Sequence, residues 1–152
     1  MVGAGAVGGF YGGMLARSGV DVRFLFRSTY EDVVREGLSL VLRASNESFP
    51  VEPLQAYRDS SAIGSCDWVI VAAKATANSQ LGDMLAPLVD ENTSLLTLQN
   101  GMGNVERLAE LFGIDVLQDD VIAGQRADMG DAIAHLTGAD HPNGLDHDAV
   151  VP

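Results

Sequence analysis

Six residues near the start of the chain, Gly3-Ala4-Gly5-Ala6-Val7-Gly8, follow the pattern GxGxxG and run into a helix-like segment at 10–17. This spacing constrains the fold more than any other feature, because each glycine meets a different steric demand of a turn that holds a pyrophosphate. The first permits a tight strand-to-helix turn, the second lets backbone approach the phosphates, and the third lets the helix pack closely on a sheet. The helix N-terminus then offers free N–H groups to the anion. Only Met1 and Val2 precede the first glycine, where a strand of about five residues ordinarily stands. The first strand is therefore expected to be clipped.

The pattern downstream alternates between strand and helix. A helix at 10–18 is expected to end at Gly19, a residue suited to the left-handed cap position. The β-branched and aromatic run at 22–26 predicts a strand. Thr29 is placed to cap a short helix at 30–36 that Gly37 closes, and two extended segments at 38–43 and 49–52 predict a hairpin-like excursion. The nearly all-apolar stretch 68–73 reads as a strand buried on both faces of a parallel sheet. A helix at 76–89, a buried strand at 93–98 and a helix at 104–112, with Val105, Leu108, Leu111 and Phe112 on one face, follow. Such alternation implies a parallel sheet with right-handed crossovers.

A chain of 152 residues, 47% hydrophobic, is long enough for one domain with a core and too short for two of ordinary size. Its net charge of −12 disfavours nucleic acid and anionic membranes as partners, since both attract basic surfaces. No apolar run approaches membrane-spanning length, and the glycine-rich start lacks the basic region of a signal peptide. The single cysteine, Cys66, cannot form an internal disulfide. It reads as structural, and the cytoplasm is the expected location. Half of the net charge lies in residues 118–152, which hold seven aspartates, one arginine and all three histidines. This segment reads as a poorly specified acidic tail, and residues 1–117 as the folded domain. Within the tail His141, Asp146, His147 and Asp148 are metal-binding types, but their spacing fits no helix face, and no metal is expected. His135 reads as a solvated or half-buried side chain.

The residue just past the second strand of a dinucleotide fold meets the adenosine ribose, and an acid there bonds the 2′-hydroxyl of NAD. Here that place is taken by Arg27, then Ser28 and Thr29. A guanidinium grips a 2′-phosphate with two parallel hydrogen bonds, which favours NADP. Without the glycine turn, Arg27 reads as a solvated arginine at a strand end. Lys74 ends the apolar strand at 68–73, at the carboxyl edge where ligands lie in such sheets, and is a second candidate for the phosphate.

Four segments together resemble the ketopantoate reductases, or 2-dehydropantoate 2-reductases, which use NADPH. They are the glycine turn through Gly9-Phe10-Tyr11-Gly12, Phe24-Leu25-Phe26-Arg27, Val69-Ile70-Val71-Ala72-Ala73-Lys74-Ala75, and Leu98-Gln99-Asn100-Gly101-Met102-Gly103-Asn104. The resemblance covers about residues 1–115 and implies the family's N-terminal domain, a Rossmann-like doubly wound α/β fold. It further implies that Gly3, Ala4, Gly5, Ala6, Val7 and Gly8 cradle the pyrophosphate and that Arg27 and Lys74 hold the 2′-phosphate. Asn100, whose amide both donates and accepts, would lie near the nicotinamide and a small 2-keto acid substrate. The activity implied is reduction of 2-dehydropantoate to pantoate, as in pantothenate biosynthesis. The family's general-acid lysine belongs to a helical C-terminal domain with no counterpart here, so no catalytic residue is expected in this chain and little turnover from it alone. A truncated or frame-altered gene product would explain the clipped start and the acidic finish. Two other functions fit the glycine turn: a different NADP-linked 2-hydroxyacid dehydrogenase, and a non-catalytic NADP(H)-binding module.

Overall fold

Met1 and Val2 form a two-residue stub that is hydrogen-bonded on both sides. On one side the Met1 amine donates to the Arg23 carbonyl (2.7 Å) and the Leu25 N–H to the Met1 carbonyl (2.9 Å). On the other, the Val2 N–H donates to the Ile70 carbonyl and the Ala72 N–H to the Val2 carbonyl, both at 2.8 Å. The stub thereby stitches together two halves of a parallel sheet, in a computed structural model that describes residues 1–42, 45–118 and 132–136.

The elements in chain order are α1 (Ala6–Arg17), β1 (Arg23–Leu25), α2 (Tyr30–Glu36), β2 (Leu38–Leu42), β3 (Glu47–Pro50) and β4 (Gln55–Tyr57), then β5 (Trp68–Val71), α3 (Leu81–Leu85), β6 (Ser94–Thr97), α4 (Asn104–Phe112), β7 (Val116–Gln118) and β8 (Ala132–Leu136). β4 pairs with β1, β5 with β6 and β6 with β7, all in parallel, and Val2 bridges Leu25 to Val71. Counting the stub as the first strand, the order across the sheet is β4, β1, stub, β5, β6, β7. That is the 3-2-1-4-5-6 order of a doubly wound dinucleotide-binding sheet. A second, antiparallel sheet of order β3-β2-β8 lies beside it.

Alternation along β1 feeds two cores. Phe24 and Phe26 pack on one face with Ala16, Val33 and Leu40, while Leu25 joins Val2, Val71, Leu85 and Leu108 on the other. α1 approaches the first of these through backbone rather than side chains: a Cβ at Gly12 would stand 2.5 Å from the Phe24 ring, and one at Gly13 2.6 Å from Leu40. Glycine in a helix costs about 1 kcal/mol relative to alanine, but alanine here would push α1 off its sheet.

Several expectations hold. α2 and α4 have the anticipated ends, Gly19 has φ +93°, and the 38–50 region is a hairpin. Others are corrected. Thr29 stands at the start of α2 without a side-chain cap. β4 went unanticipated, because three half-buried residues show no apolar run and only pairing to β1 makes them a strand. The 68–73 strand is shorter, and Trp68 at its start is 53% exposed, so burial on both faces fails there. The segment 76–89 is not one helix but a 3₁₀ turn (Ala75–Gln80), the short α3, and a second 3₁₀ turn (Ala86–Leu88) containing Pro87. On α4, Leu108 is buried while Leu111 is exposed. β7 continues the sheet past α4, and β8 lies within the segment read as an unspecified tail. His141, Asp146, His147 and Asp148 lie outside the described residues. Among those described, no group of side chains could hold a metal ion and no helix is long and apolar enough to cross a membrane.

Burial lowers the Met1 amine from its ordinary 8.0 to about 6, with the Cys66 thiol opposing in part. The unfolded chain therefore binds a proton near pH 8 that the folded chain refuses until about pH 6. Stability is full above pH 8 and falls by about 2–3 kcal/mol as the pH drops through that window. Urea denaturation across the window checks this, and Nα-acetylated protein, with no amine to titrate, is expected to lose the dependence.

Candidate functional site

The carboxyl ends of the stub, β1, β5 and β6 share one edge of the sheet because all four run parallel, so the residues that follow them converge: Gly3, Arg27, Lys74 and Asn100. The turn after the stub shows three glycines under three different constraints. Gly3 has φ +86°, and a Cβ there would lie 2.5 Å from the Ala73 backbone. At Gly8 a Cβ would lie 2.2 Å from the Gly3 carbonyl oxygen, so close helix–strand packing admits no side chain. At Gly5 a Cβ would meet nothing within 4 Å. Gly5 precedes α1, whose first turn carries no acidic side chain, so the N–H groups at Ala6, Val7 and Gly8 present a positive helix end to that open space. Crowding requires glycine at positions 3 and 8. At position 5 the room is left for something other than protein.

Arg27 and Lys74 are both exposed. Among the described residues neither forms an ion pair, whereas Arg23, Arg35 and Arg58 bond carboxylates and Arg17 lies over the Phe49 ring at 4.1 Å. Asn100 is exposed after β6, in a turn where Gly101 and Gly103 have φ +109° and +81°.

Sequence reasoning missed the polar network that holds this edge together. Gln99, almost fully buried, donates from Nε2 to the Ala73 carbonyl (2.8 Å) and to Asn78 Oδ1 (2.9 Å). Asn78 Nδ2 donates to Asn104 Oδ1 (3.0 Å), and Asn104 Nδ2 to the carbonyls of Asn100 (3.3 Å) and Gly101 (3.0 Å). The loop after β5, which carries Lys74, is thus tied to the loop after β6, which carries Asn100. Buried amides keep this geometry because an unpaired partner loses its hydrogen bonds without regaining water. The available signal was the polar cluster Gln99, Asn100 and Asn104 flanking an apolar strand.

Sheet order and glycine turn define a doubly wound α/β domain of the Rossmann type. The chain belongs to the ketopantoate reductase PanE/ApbA family, whose profile matches residues 1–142. A 2-dehydropantoate 2-reductase of Nostoc is 40% identical over 112 residues, which is 74% of this chain and 34% of that protein. The crystal structure of a 2-dehydropantoate 2-reductase from Geobacter metallireducens superposes with a TM-score of 0.68 at 48% identity, over 73% of this chain and 36% of that one. A PanE/ApbA family ketopantoate reductase from Ralstonia eutropha gives 0.68 at 32% identity, over 78% and 40% of the two chains. The chain thus spans about a third of the length of the curated relatives it matches.

Two substitutions separate packing from binding in the glycine turn. Gly8→Ala is expected to cost about 3 kcal/mol or prevent folding, since the clash is with backbone. Gly5→Ala should leave stability within about 0.5 kcal/mol while weakening any ligand that enters the open space; thermal melts and nucleotide titration of both variants check the contrast. Gln99→Leu, which strands the Ala73 carbonyl and the Asn78 amide, should lower stability by about 2 kcal/mol in urea denaturation.

Proposed function

We propose that residues 1–117 bind NADP(H) and form the cofactor half of a reductase acting on a small 2-keto acid, 2-dehydropantoate. The observation that carries the reading is the open space at Gly5, at the N-terminus of α1, on the same sheet edge as two exposed cations without ion-pair partners among the described residues. In this reading the N–H groups of the turn from Gly3 to Gly8, including Ala4, Ala6 and Val7, hold the pyrophosphate. Arg27 supplies two parallel hydrogen bonds to the 2′-phosphate and Lys74 a second positive charge. Asn100 orients the nicotinamide end and the keto acid through its amide, its backbone held in place by Asn104.

When bound, the reduced nicotinamide supplies the hydride, and the protein supplies orientation and a proton donor. Lys74 is the only lysine of the chain and is already assigned to phosphate, so no lysine of this sequence remains to protonate the forming alkoxide. General acid catalysis contributes about 10²- to 10⁴-fold. The chain by itself is accordingly assigned cofactor binding with little turnover, which also covers its use as a non-catalytic nucleotide-binding module.

Fluorescence titration with NADPH tests the reading: saturable enhancement supports it, and its absence with folded protein removes it. Arg27→Asp is expected to weaken NADPH by about 10- to 100-fold while changing NADH little. Equal effects on the two cofactors would show that Arg27 does not meet the 2′-phosphate.

A further inference from the structure

Across the carboxyl ends of β5 and β6 runs a row of three side-chain amides whose polarity is fixed at both ends by backbone. At one end the Ala73 carbonyl, an acceptor only, takes a hydrogen from Gln99 Nε2 (2.8 Å). At the other the carbonyls of Asn100 and Gly101, also acceptors only, take hydrogens from Asn104 Nδ2 (3.3 and 3.0 Å). In the middle Asn78 accepts at Oδ1 from Gln99 (2.9 Å) and donates from Nδ2 to Asn104 Oδ1 (3.0 Å). An amide nitrogen only donates and an amide oxygen only accepts, so turning any of the three over sets oxygen against oxygen or nitrogen against nitrogen. One arrangement alone satisfies every partner.

Asn78 is the crossing point. Besides its two side-chain bonds, its carbonyl accepts from the Leu81 N–H and from Arg107 Nε (3.3 Å). The Lys74 carbonyl accepts from the Ala77 N–H (2.8 Å) in the same 3₁₀ turn. Lys74 is therefore bracketed, with Gln99 on the carbonyl before it and Ala77 on its own. Asn100 is held through its carbonyl by Asn104. The exposed side chains of Lys74 and Asn100 thus stand at the two ends of one hydrogen-bonded unit. A shift at either end leaves buried polar groups unpaired along the row, and neighbouring bonds in such a row polarise one another.

We propose that this amide row couples the two ends of the candidate site, with Asn78 and Asn104 as crossed positioning residues. Asn78, on the loop of Lys74, sets the place of Asn100 through Asn104. Asn104, on the loop of Asn100, sets the place of Lys74 through Asn78 and Gln99. Coupling of this kind is reciprocal, so each end responds to a change at the other. The inference rests on the nucleotide reading above for what fills the two ends, a 2′-phosphate beside Lys74 and a nicotinamide beside Asn100. The coupling itself belongs to the protein and is measurable with no ligand present.

Amide hydrogen exchange on the ligand-free full chain is the first test. In Asn104→Leu, which keeps the volume and removes the bonds, the Ala77 N–H is expected to exchange about tenfold faster. The Phe26 N–H, bonded to the Tyr57 carbonyl in the sheet, should keep its rate. Ala77 unchanged, or accelerated only as much as Phe26, overturns the proposal. Asn78→Ala, at a half-buried position, keeps the test open should the first variant not fold: the Arg107 N–H, bonded to the Gly103 carbonyl, is then the group expected to quicken, against the same control. The second test compares NADPH with adenosine 2′,5′-bisphosphate, which has the 2′-phosphate and no nicotinamide. Asn104→Leu should weaken the bisphosphate about tenfold from the opposite loop, and Asn78→Ala should reduce the preference for NADPH over the bisphosphate by a similar factor. Unchanged bisphosphate affinity in Asn104→Leu overturns the coupling even where NADPH binds. Wild-type protein that binds neither nucleotide removes the nucleotide reading instead, and the exchange rates then decide the coupling alone.

Discussion

Four backbone hydrogen bonds to Met1 and Val2 carry a disproportionate share of this architecture. Without them β1 with β4 and β5 with β6 and β7 are separate parallel sheets. With them the six positions form one layer in the doubly wound order. Val2 is nearly fully buried and belongs to the core under α3 and α4, and Gly3 follows it directly. The same two residues therefore set the sheet register and launch the glycine turn, so the candidate binding edge inherits its position from the stub. The cost appears at Met1, where a chain terminus that would prefer water is held as a strand amide would be.

The candidate binding edge combines opposite steric requirements within six residues. Gly3 and Gly8 are fixed by contact with protein backbone, and Gly5 by the lack of it. Electrostatics are similarly local. The chain carries −12 overall, yet the edge holds a helix N-terminus, Arg27 and Lys74, and ion pairs elsewhere engage Arg23, Arg35 and Arg58. Net charge thus disfavours extended anionic partners while leaving a small anion a favourable place. Membership of the ketopantoate reductase family agrees with this arrangement, and the amides of buried Gln99 and Asn104 and half-buried Asn78 show how the loops carrying Lys74 and Asn100 are kept together.

Where pattern reading failed, competition between local and distant contacts explains it. Residues 75–80 include Thr76, Asn78 and Ser79, whose short polar side chains compete with the helical backbone, the Asn78 side chain is drawn into the amide network and Pro87 limits the following turn, so the segment breaks into short pieces. β4 is too short to carry a period of two and exists through its pairing with β1. Trp68 sits in an apolar run yet stands at the start of β5, where it is half exposed. β8 lies in a segment whose aspartates dominate its composition, and it is a strand because β2 offers an edge.

The amino-acid sequence by itself determined the glycine turn, the helix at 104–112, a first helix read four residues short at its start, apolar strands read at 68–73 and 93–98 that are observed as Trp68–Val71 and Ser94–Thr97, and the arginine after the second strand. These are legible because they depend on residue size, backbone freedom and periodicity within about ten neighbours. Tertiary structure alone decided that Val2 bridges two half-sheets and that Gln99, Asn78 and Asn104 form one network. Each of these is a relation between residues more than twenty positions apart, fixed only when the strands take their order and the unpaired polar groups must find partners away from water.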